Sequence, residues 1–281
     1  MQWEGHIGSL LGLALLQGIY LLGVGPLREK YRLAEEVRPR QVATFTAGVV
    51  VIFFALTSPI HVLGENYLFS MHMLQHVLLT LVAPPLLILG TPDWLIRPLL
   101  RPNWAFRTAR YLTHPIVAFG AFSIIFSLWH IPALYNSSLT NEAVHASEHI
   151  IMITTATMMW WPLTSNLPEL PRLSYPFQLG YLFLLSVAQI IVFATLTFAP
   201  EPLYDFYVNA PRIWNLSPLV DQQIGGIIMK IGGGALFLGI FITIFFKWFN
   251  QEEAHRKADA DAHYGTENHR TDGPTLEDNY R

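Results

Sequence analysis

Apolar side chains occur along the chain in seven long segments separated by shorter polar stretches. The segments cover residues 7–25, 41–60, 67–90, 114–131, 140–161, 174–198 and 221–248. Each is close to the roughly 20 residues that a helix needs to cross the hydrocarbon core of a bilayer. Composition agrees, because 52% of the residues are hydrophobic and only 13% are charged, which is too little polar surface for an ordinary soluble domain. The pattern predicts an all-α membrane protein whose residues 1–249 form a bundle of seven transmembrane helices.

Basic residues are unevenly distributed among the connections of this bundle. They concentrate in residues 26–40 and 91–113 and after residue 246, whereas the loops on the other side carry only Arg212. Because Lys and Arg favour cytoplasmic loops, the N-terminus is predicted to lie outside and the C-terminus in the cytoplasm. Residues 250–281 are charged and nearly free of apolar side chains, so they are predicted to form a disordered cytoplasmic tail.

Two pairs of histidines lie within the apolar segments. His72 and His76 belong to the third segment, and His145 and His149 belong to the fifth. Each pair has i, i+4 spacing and therefore lies on one helical face. An ionisable side chain inside a bilayer is costly and indicates function. His130 ends the fourth segment on the same predicted side, so five histidines from three helices are expected in the outer half of the membrane.

The side chains around these histidines favour copper. Met73 offers a thioether beside the imidazoles, and the chain has no cysteine, which excludes thiolate ligands. Imidazole with thioether fits copper, especially Cu(I), whereas imidazole alone would also fit zinc or a bis-histidine haem. The predicted metal ligands are His72, His76, His130, His145, His149 and Met73.

Four further polar residues are predicted to support the ligands. Glu148 lies between the histidines of its helix and is expected to orient an imidazole or to carry protons. The others are Gln75, between the histidines of the third segment, and Asp221 and Gln222, which open the seventh segment.

Several sequence blocks together resemble one known family. The blocks are His72-Met73-Leu74-Gln75-His76, Trp129-His130-Ile131-Pro132, His145-x-x-Glu148-His149 and Asp221-Gln222-Gln223-Ile224-Gly225-Gly226. In this order they resemble the multi-spanning CtaG family of cytochrome c oxidase assembly factors, and the likeness covers most of residues 40–248. The resemblance implies a non-enzymatic, multi-pass protein of the cell membrane. It would handle copper for cytochrome c oxidase subunits. Its partners would be these subunits and the lipid bilayer, and no nucleic acid.

Two other functions stay open. The sequence His145-x-x-Glu148-His149 matches the inverted zincin motif, in which two histidines bind zinc and the glutamate is the general base of a hydrolase. A five-residue pattern recurs by chance, however, and no acidic third ligand is evident on a later helix. A haem-binding electron carrier that uses His76 and His149 is the other alternative.

The remaining polar positions receive no ligand role. His61 and His6 lie near the outer loops and are expected to be solvated, as are three histidines of the tail, namely His255, His263 and His269. The outer loop 199–220 is rich in proline and aromatic residues and is expected to cover the bundle as a lid or a docking surface. Lys230, midway along the seventh segment, has no predicted partner.

Overall fold

A computed structural model describes the backbone of residues 7–271 and the side chains of residues 7–260. Every regular element in this part of the chain is a helix, which confirms the all-α prediction. In chain order the main helices are α1 (Ile7–Tyr31), α2 (Pro39–Thr57), α3 (Pro59–Asn66), α4 (Phe69–Gly90), α5 (Asn103–Leu112), α6 (Pro115–Trp129), α7 (Pro132–Thr140), α8 (Glu142–Thr164), α9 (Tyr175–Phe198), α10 (Asp205–Asn209) and α11 (Pro218–Ala260). Short helical turns also occur at Asp93–Ile96 and Arg97–Leu100.

The helices of the described residues identify a membrane protein. Five of them, α1, α2, α4, α9 and α11, are long and apolar enough to cross a membrane, and the pair α5 and α6, bent by 64°, passes the same test together. Helix α8 has 23 residues and carries its ionisable side chains in its first two turns. Each of the seven predicted segments is therefore helical, whereas the full count of seven spans and the orientation of the termini remain predictions.

Prolines determine where several of these helices begin. The fixed φ of proline suits the first helical turn, where its missing N–H is not needed. The prolines that occupy this position are Pro39, Pro59, Pro115, Pro132 and Pro218. These prolines thus start the helices close to the predicted bounds of the apolar segments.

A π-helical turn in α4 connects this helix to α8. The turn covers Leu78–Val82 and is followed by Pro84 and Pro85, which have no N–H to donate to the preceding turn. The carbonyl of Thr80 instead accepts a hydrogen bond from the indole N–H of Trp160, at 2.9 Å. Since an unpaired carbonyl is costly in an apolar interior, this bond fixes α8 against α4.

Close helix approaches complete the packing around α4. A Cβ on Gly225 of α11 would lie 2.5 Å from Phe69, and one on Gly226 would lie 2.4 Å from the hydroxyl of Thr197. Only glycine allows α11 to approach both α4 and α9 this closely. The largest apolar core among the described residues is formed by side chains of α4, α6, α7, α8, α9 and α11. Of the five candidate spans, α4 has the largest buried share, so it lies at the centre of the bundle.

Helix α11 also contains a π-helical turn, Ile228–Gly232. Lys230 lies in this turn and is exposed on the outside of the bundle. Its Nζ is 5.8 Å from the ring centre of Phe193, a distance compatible with a cation–π contact.

The C-terminal region continues this helix. Gly233–Thr271 is helical throughout, and residues 272–281 lie outside the described part of the chain. The domain boundary at residue 249 and the disordered, cytoplasmic character of 250–281 stay predictions. The predictions for His6, His263 and His269 concern side chains outside the described residues.

Candidate metal site

Asp221 holds the start of the helix that carries His72 and His76. Leu68 precedes α4 and provides no side-chain cap. The Asp221 carboxylate of α11 takes that role, because its two oxygens accept the backbone N–H groups of Phe69 at 2.6 Å and Ser70 at 3.2 Å. An anion at a helix N-terminus is also favoured by the helix dipole. Asp221 therefore positions the first turn of α4, directly before His72.

A conventional cap positions the opposite pair of histidines. Oδ1 of Asn141 accepts the backbone N–H groups of Ala143 at 3.0 Å and Val144 at 3.3 Å, so α8 begins just before His145. Together with the Trp160 bond to α4, this cap fixes both ends of the segment that carries His145 and His149.

The two histidine pairs lie together inside the bundle. Nε2 of His72 is 2.9 Å from Nε2 of His76. The ring centres are 5.7 Å apart for His72 and His145 and 5.9 Å apart for His76 and His149. One donor atom from each of His72, His76 and His149 lies within 4.8 Å of the other two, and all three residues are buried. The arrangement is a possible three-imidazole metal site, although the role of these residues as ligands remains a prediction.

Glu148 lies inside the same cluster. It is completely buried, and its Oε1 is 3.5 Å from Nε2 of His76. A donor atom of Glu148 also lies within 4.8 Å of donors from His72 and His145. The cluster therefore offers a second set of three potential ligands, which contains a carboxylate.

His130 lies beside the cluster with its ring oriented by the backbone. Its Nδ1 is 2.6 Å from the carbonyl of Phe126, so Nδ1 carries the hydrogen and Nε2 keeps the lone pair needed by a metal. This Nε2 is buried and has no hydrogen-bond partner among the described residues. The ring centre is 6.3 Å from that of His76, which places His130 adjacent to the two three-ligand sets but outside them.

Three other predicted residues contact different parts of the structure. Met73 is fully buried on the Phe69 face of α4, where a Cβ on Gly225 would lie 3.2 Å from its Cγ. Gln75 places Nε2 3.1 Å from Nδ1 of His61. Gln222 accepts the backbone N–H of Leu203 at 2.7 Å and donates to the carbonyl of Leu196 at 3.2 Å. Gln222 thus connects α11 to α9 and to the outer loop.

The expectation that His61 is solvated is wrong. Only 4% of His61 is exposed, because the short helix α3 folds it inward. Oε1 of Glu65 is 2.9 Å from Nδ1 of His61 and 3.2 Å from Nδ1 of His145. Glu65 was not identified from the sequence, although its i, i+4 spacing from His61 directly before α4 was an available signal. A carboxylate on the Nδ1–H of a histidine fixes the ring so that Nε2 can bind a metal.

Aromatic side chains close the cluster from the side of the outer loop. The hydroxyl of Tyr204 donates to the carbonyl of His130 at 3.0 Å, and that of Tyr207 donates to the carbonyl of Gly64 at 2.6 Å. Burial raises the pKa of the Tyr207 phenol well above its ordinary value, so this group stays neutral and able to donate. Tyr135 packs against Tyr204 and His72, with ring centres 4.3 and 5.2 Å away. These buried tyrosines thus pack over the histidine cluster on the side of residues 199–220.

Comparison with known proteins identifies the family. A family model described as cytochrome c oxidase caa3 assembly factor matches residues 18–251. Uncharacterized proteins of Mycobacterium bovis and Mycobacterium tuberculosis are each 25% identical over 243 residues, which cover 79% of this chain and 36% of theirs. An uncharacterized protein of Mycobacterium leprae is 24% identical over 235 residues, covering 78% of this chain and 35% of its own. The chain thus spans about a third of the length of these relatives, and no solved structure matches it. The family inferred from the sequence blocks is confirmed, and the chain belongs to the CtaG family of cytochrome c oxidase caa3 assembly factors.

Proposed function

We propose that this protein binds copper in its buried histidine cluster and delivers it to cytochrome c oxidase subunits during their assembly. It acts as a multi-pass protein of the cell membrane, with the N-terminus outside and the cluster in the outer half of the bilayer. Its role is binding and transfer and involves no catalysis. The family match supports the connection with the oxidase.

The observation that carries the copper proposal is the set formed by His72, His76 and His149. Buried polar atoms are normally hydrogen-bonded, yet Nδ1 of His72 and Nδ1 of His76 have no partner among the described residues. Metal–nitrogen bonds of 2.0–2.1 Å place tetrahedral donors about 3.3 Å apart. The donor atoms of this set, within 4.8 Å of one another, reach that spacing through small side-chain movements. Imidazole suits copper, so the residues fit the metal.

The same geometry opposes a bis-histidine haem. A flat macrocycle would have to enter between His76 and His149. Nε2 of His72 is 2.9 Å from Nε2 of His76, and Oε1 of Glu148 is 3.5 Å from the same atom. Both groups occupy the space beside His76 that a porphyrin would need.

A zinc hydrolase is also less well supported. Such an enzyme keeps an open position on zinc for water and for the substrate. Here Glu148 is fully buried beside His76, and Tyr135, Tyr204 and Tyr207 are buried on the side of the outer loop. Because these buried side chains restrict the access of a substrate, the geometry favours metal storage and transfer over hydrolysis.

Copper binding is tested on purified protein with a chromophoric Cu(I) chelator as competitor. The wild type should bind copper, and His72→Ala/His76→Ala should abolish binding, because two neighbouring ligands are lost. His255→Ala, at an exposed position of α11, is the matched control and should bind as the wild type does. Retention of copper by the double variant would rule out this site.

The cellular role is tested in a strain that lacks the gene. It should contain the oxidase polypeptides but have low cytochrome c oxidase activity, and added copper should partly restore that activity. Normal oxidase activity in this strain would contradict the proposed function.

A further inference from the structure

The buried cluster contains two overlapping sets of potential ligands. His72, His76 and His149 form an all-imidazole set, whereas His72, His145 and Glu148 form a set with one carboxylate. We propose that these are two separate cation positions, one for Cu(I) and one for a divalent cation, and that they exclude each other because they share His72. The inference rests on the proposed function, since it requires that the cluster binds metal.

The two positions lie at different depths in the bundle. His145 is in the first turn of α8, one turn before His149, and one turn of helix is about 5.4 Å long. The side chain of His145 is 14% exposed, whereas that of His76 is 2% exposed. We name the positions accordingly. The outer position uses His145 and Glu148, the inner position uses His76 and His149, and His72 belongs to both.

Neighbouring side chains prepare the outer position for a metal. Oε1 of Glu65 is 3.2 Å from Nδ1 of His145, so the Nδ1–H can donate to this carboxylate and Nε2 is left to bind. Glu148 is fully buried, and a buried carboxylate is stable as an anion only next to positive charge. A bound cation supplies that charge.

Charge distinguishes the ions that the two positions prefer. At the same distance a carboxylate attracts a divalent ion twice as strongly as a monovalent ion, and the low dielectric of the interior preserves this difference. Two imidazoles with one carboxylate form a ligand set known for Zn²⁺. None of the three inner ligands is a carboxylate, so a divalent ion there gains no bond to a charged oxygen, and the all-imidazole set suits Cu(I).

The shared ligand makes the two ions compete. A neutral imidazole has only one nitrogen with a free lone pair. An ion in the outer position occupies this nitrogen of His72 and leaves the inner position with only two imidazoles. A divalent cation therefore displaces Cu(I) although most of its ligands are different. Oε1 of Glu148 is 3.5 Å from Nε2 of His76, so the exchange of ligands requires only short movements.

The test measures Zn²⁺ and Cu(I) affinities of the purified full-length chain, together with the ability of Zn²⁺ to displace Cu(I). Glu148→Gln should weaken Zn²⁺ binding by at least about tenfold and Cu(I) binding by less than about threefold. His149→Ala should weaken Cu(I) binding by at least about tenfold and Zn²⁺ binding by less than about threefold. Each variant retains one ion, which shows that it is folded. Glu142→Gln and His255→Ala, both at exposed positions, are the controls and should leave both affinities unchanged.

The outcomes separate this inference from the proposed function. If both variants weaken Zn²⁺ binding and Cu(I) binding equally, the cluster has a single cation position and the inference is overturned. Simultaneous binding of Zn²⁺ and Cu(I) would show that His72 is not shared and would overturn it as well. If the wild type binds no Cu(I), the proposed function itself fails.

Discussion

Three acidic side chains surround the histidines, and each contacts a different kind of group. Glu148 lies beside His76, Glu65 lies between two imidazoles, and Asp221 binds backbone N–H groups of α4. Sequence spacing was sufficient to identify Glu148, because it shares a helix with two histidines. It was insufficient for Glu65, whose contact with His145 joins residues of different helices and depends on how α3 packs against α8.

Removal of the Glu65 charge should weaken Zn²⁺ binding at the outer position, because Glu65 contacts its ligand His145. In Glu65→Gln the amide keeps the size of the side chain but holds the Nδ1–H of His145 less strongly. We expect the Zn²⁺ affinity to fall by about 10 to 100-fold, as for other groups that orient a metal ligand. The Cu(I) affinity, which depends on the other set of ligands, should change by less than about threefold. Glu65→Asp, which restores the charge, should recover part of the loss, and Glu142→Gln should have no effect. Chelator competition measures all three variants, and equal Zn²⁺ affinities for Glu65→Gln and the wild type would contradict this role.

At the level of the helix, α4 depends on groups supplied by its neighbours. Its N-terminal N–H groups bind Asp221 of α11, and the carbonyl of Thr80 binds Trp160 of α8. The apolar segments and prolines predict the positions of the helices from local sequence alone. They do not predict these contacts, since Phe69 and Asp221 are 152 residues apart. The sequence predicted a supporting role for Asp221, but spacing alone could not predict that its carboxylate accepts backbone N–H groups of α4.

Asp221→Asn tests the cap at nearly constant shape. The single amide oxygen of asparagine accepts fewer and weaker hydrogen bonds than the two charged oxygens of the carboxylate. A buried N–H left unpaired costs about 1–3 kcal/mol. We expect a lower midpoint of thermal unfolding in detergent, together with weaker Cu(I) binding because the turn before His72 loosens. The control is Asp205→Asn, at an exposed position of α10, which should unfold like the wild type. An unchanged midpoint for Asp221→Asn would show that the cap contributes little.

For the whole molecule, the histidine cluster lies where helices from both halves of the chain meet. Helices α4 and α8 supply the imidazoles, while α11 and the outer loop hold α4 and cover the cluster. The sequence predicted the helical bundle and the covering loop, because both follow from apolar length and aromatic content. It could not predict how tightly Tyr204 and Tyr207 are buried, since that depends on the bonds they make to His130 and Gly64.

The orientation of this assembly determines from which side copper enters, and labelling can measure it. The chain has no cysteine, so single cysteines can be placed at three exposed positions, Ser137, Ser217 and Thr108. The basic residues of 91–113 favour the cytoplasm for Thr108, whereas the connections that contain Ser137 and Ser217 carry few basic residues. An impermeant maleimide added to intact cells should therefore label Ser137→Cys and Ser217→Cys but not Thr108→Cys, and permeabilised cells should show labelling of all three. Labelling of Thr108→Cys alone in intact cells would invert the bundle, place the tyrosine-covered end of the cluster on the cytoplasmic side and exclude copper delivery from outside.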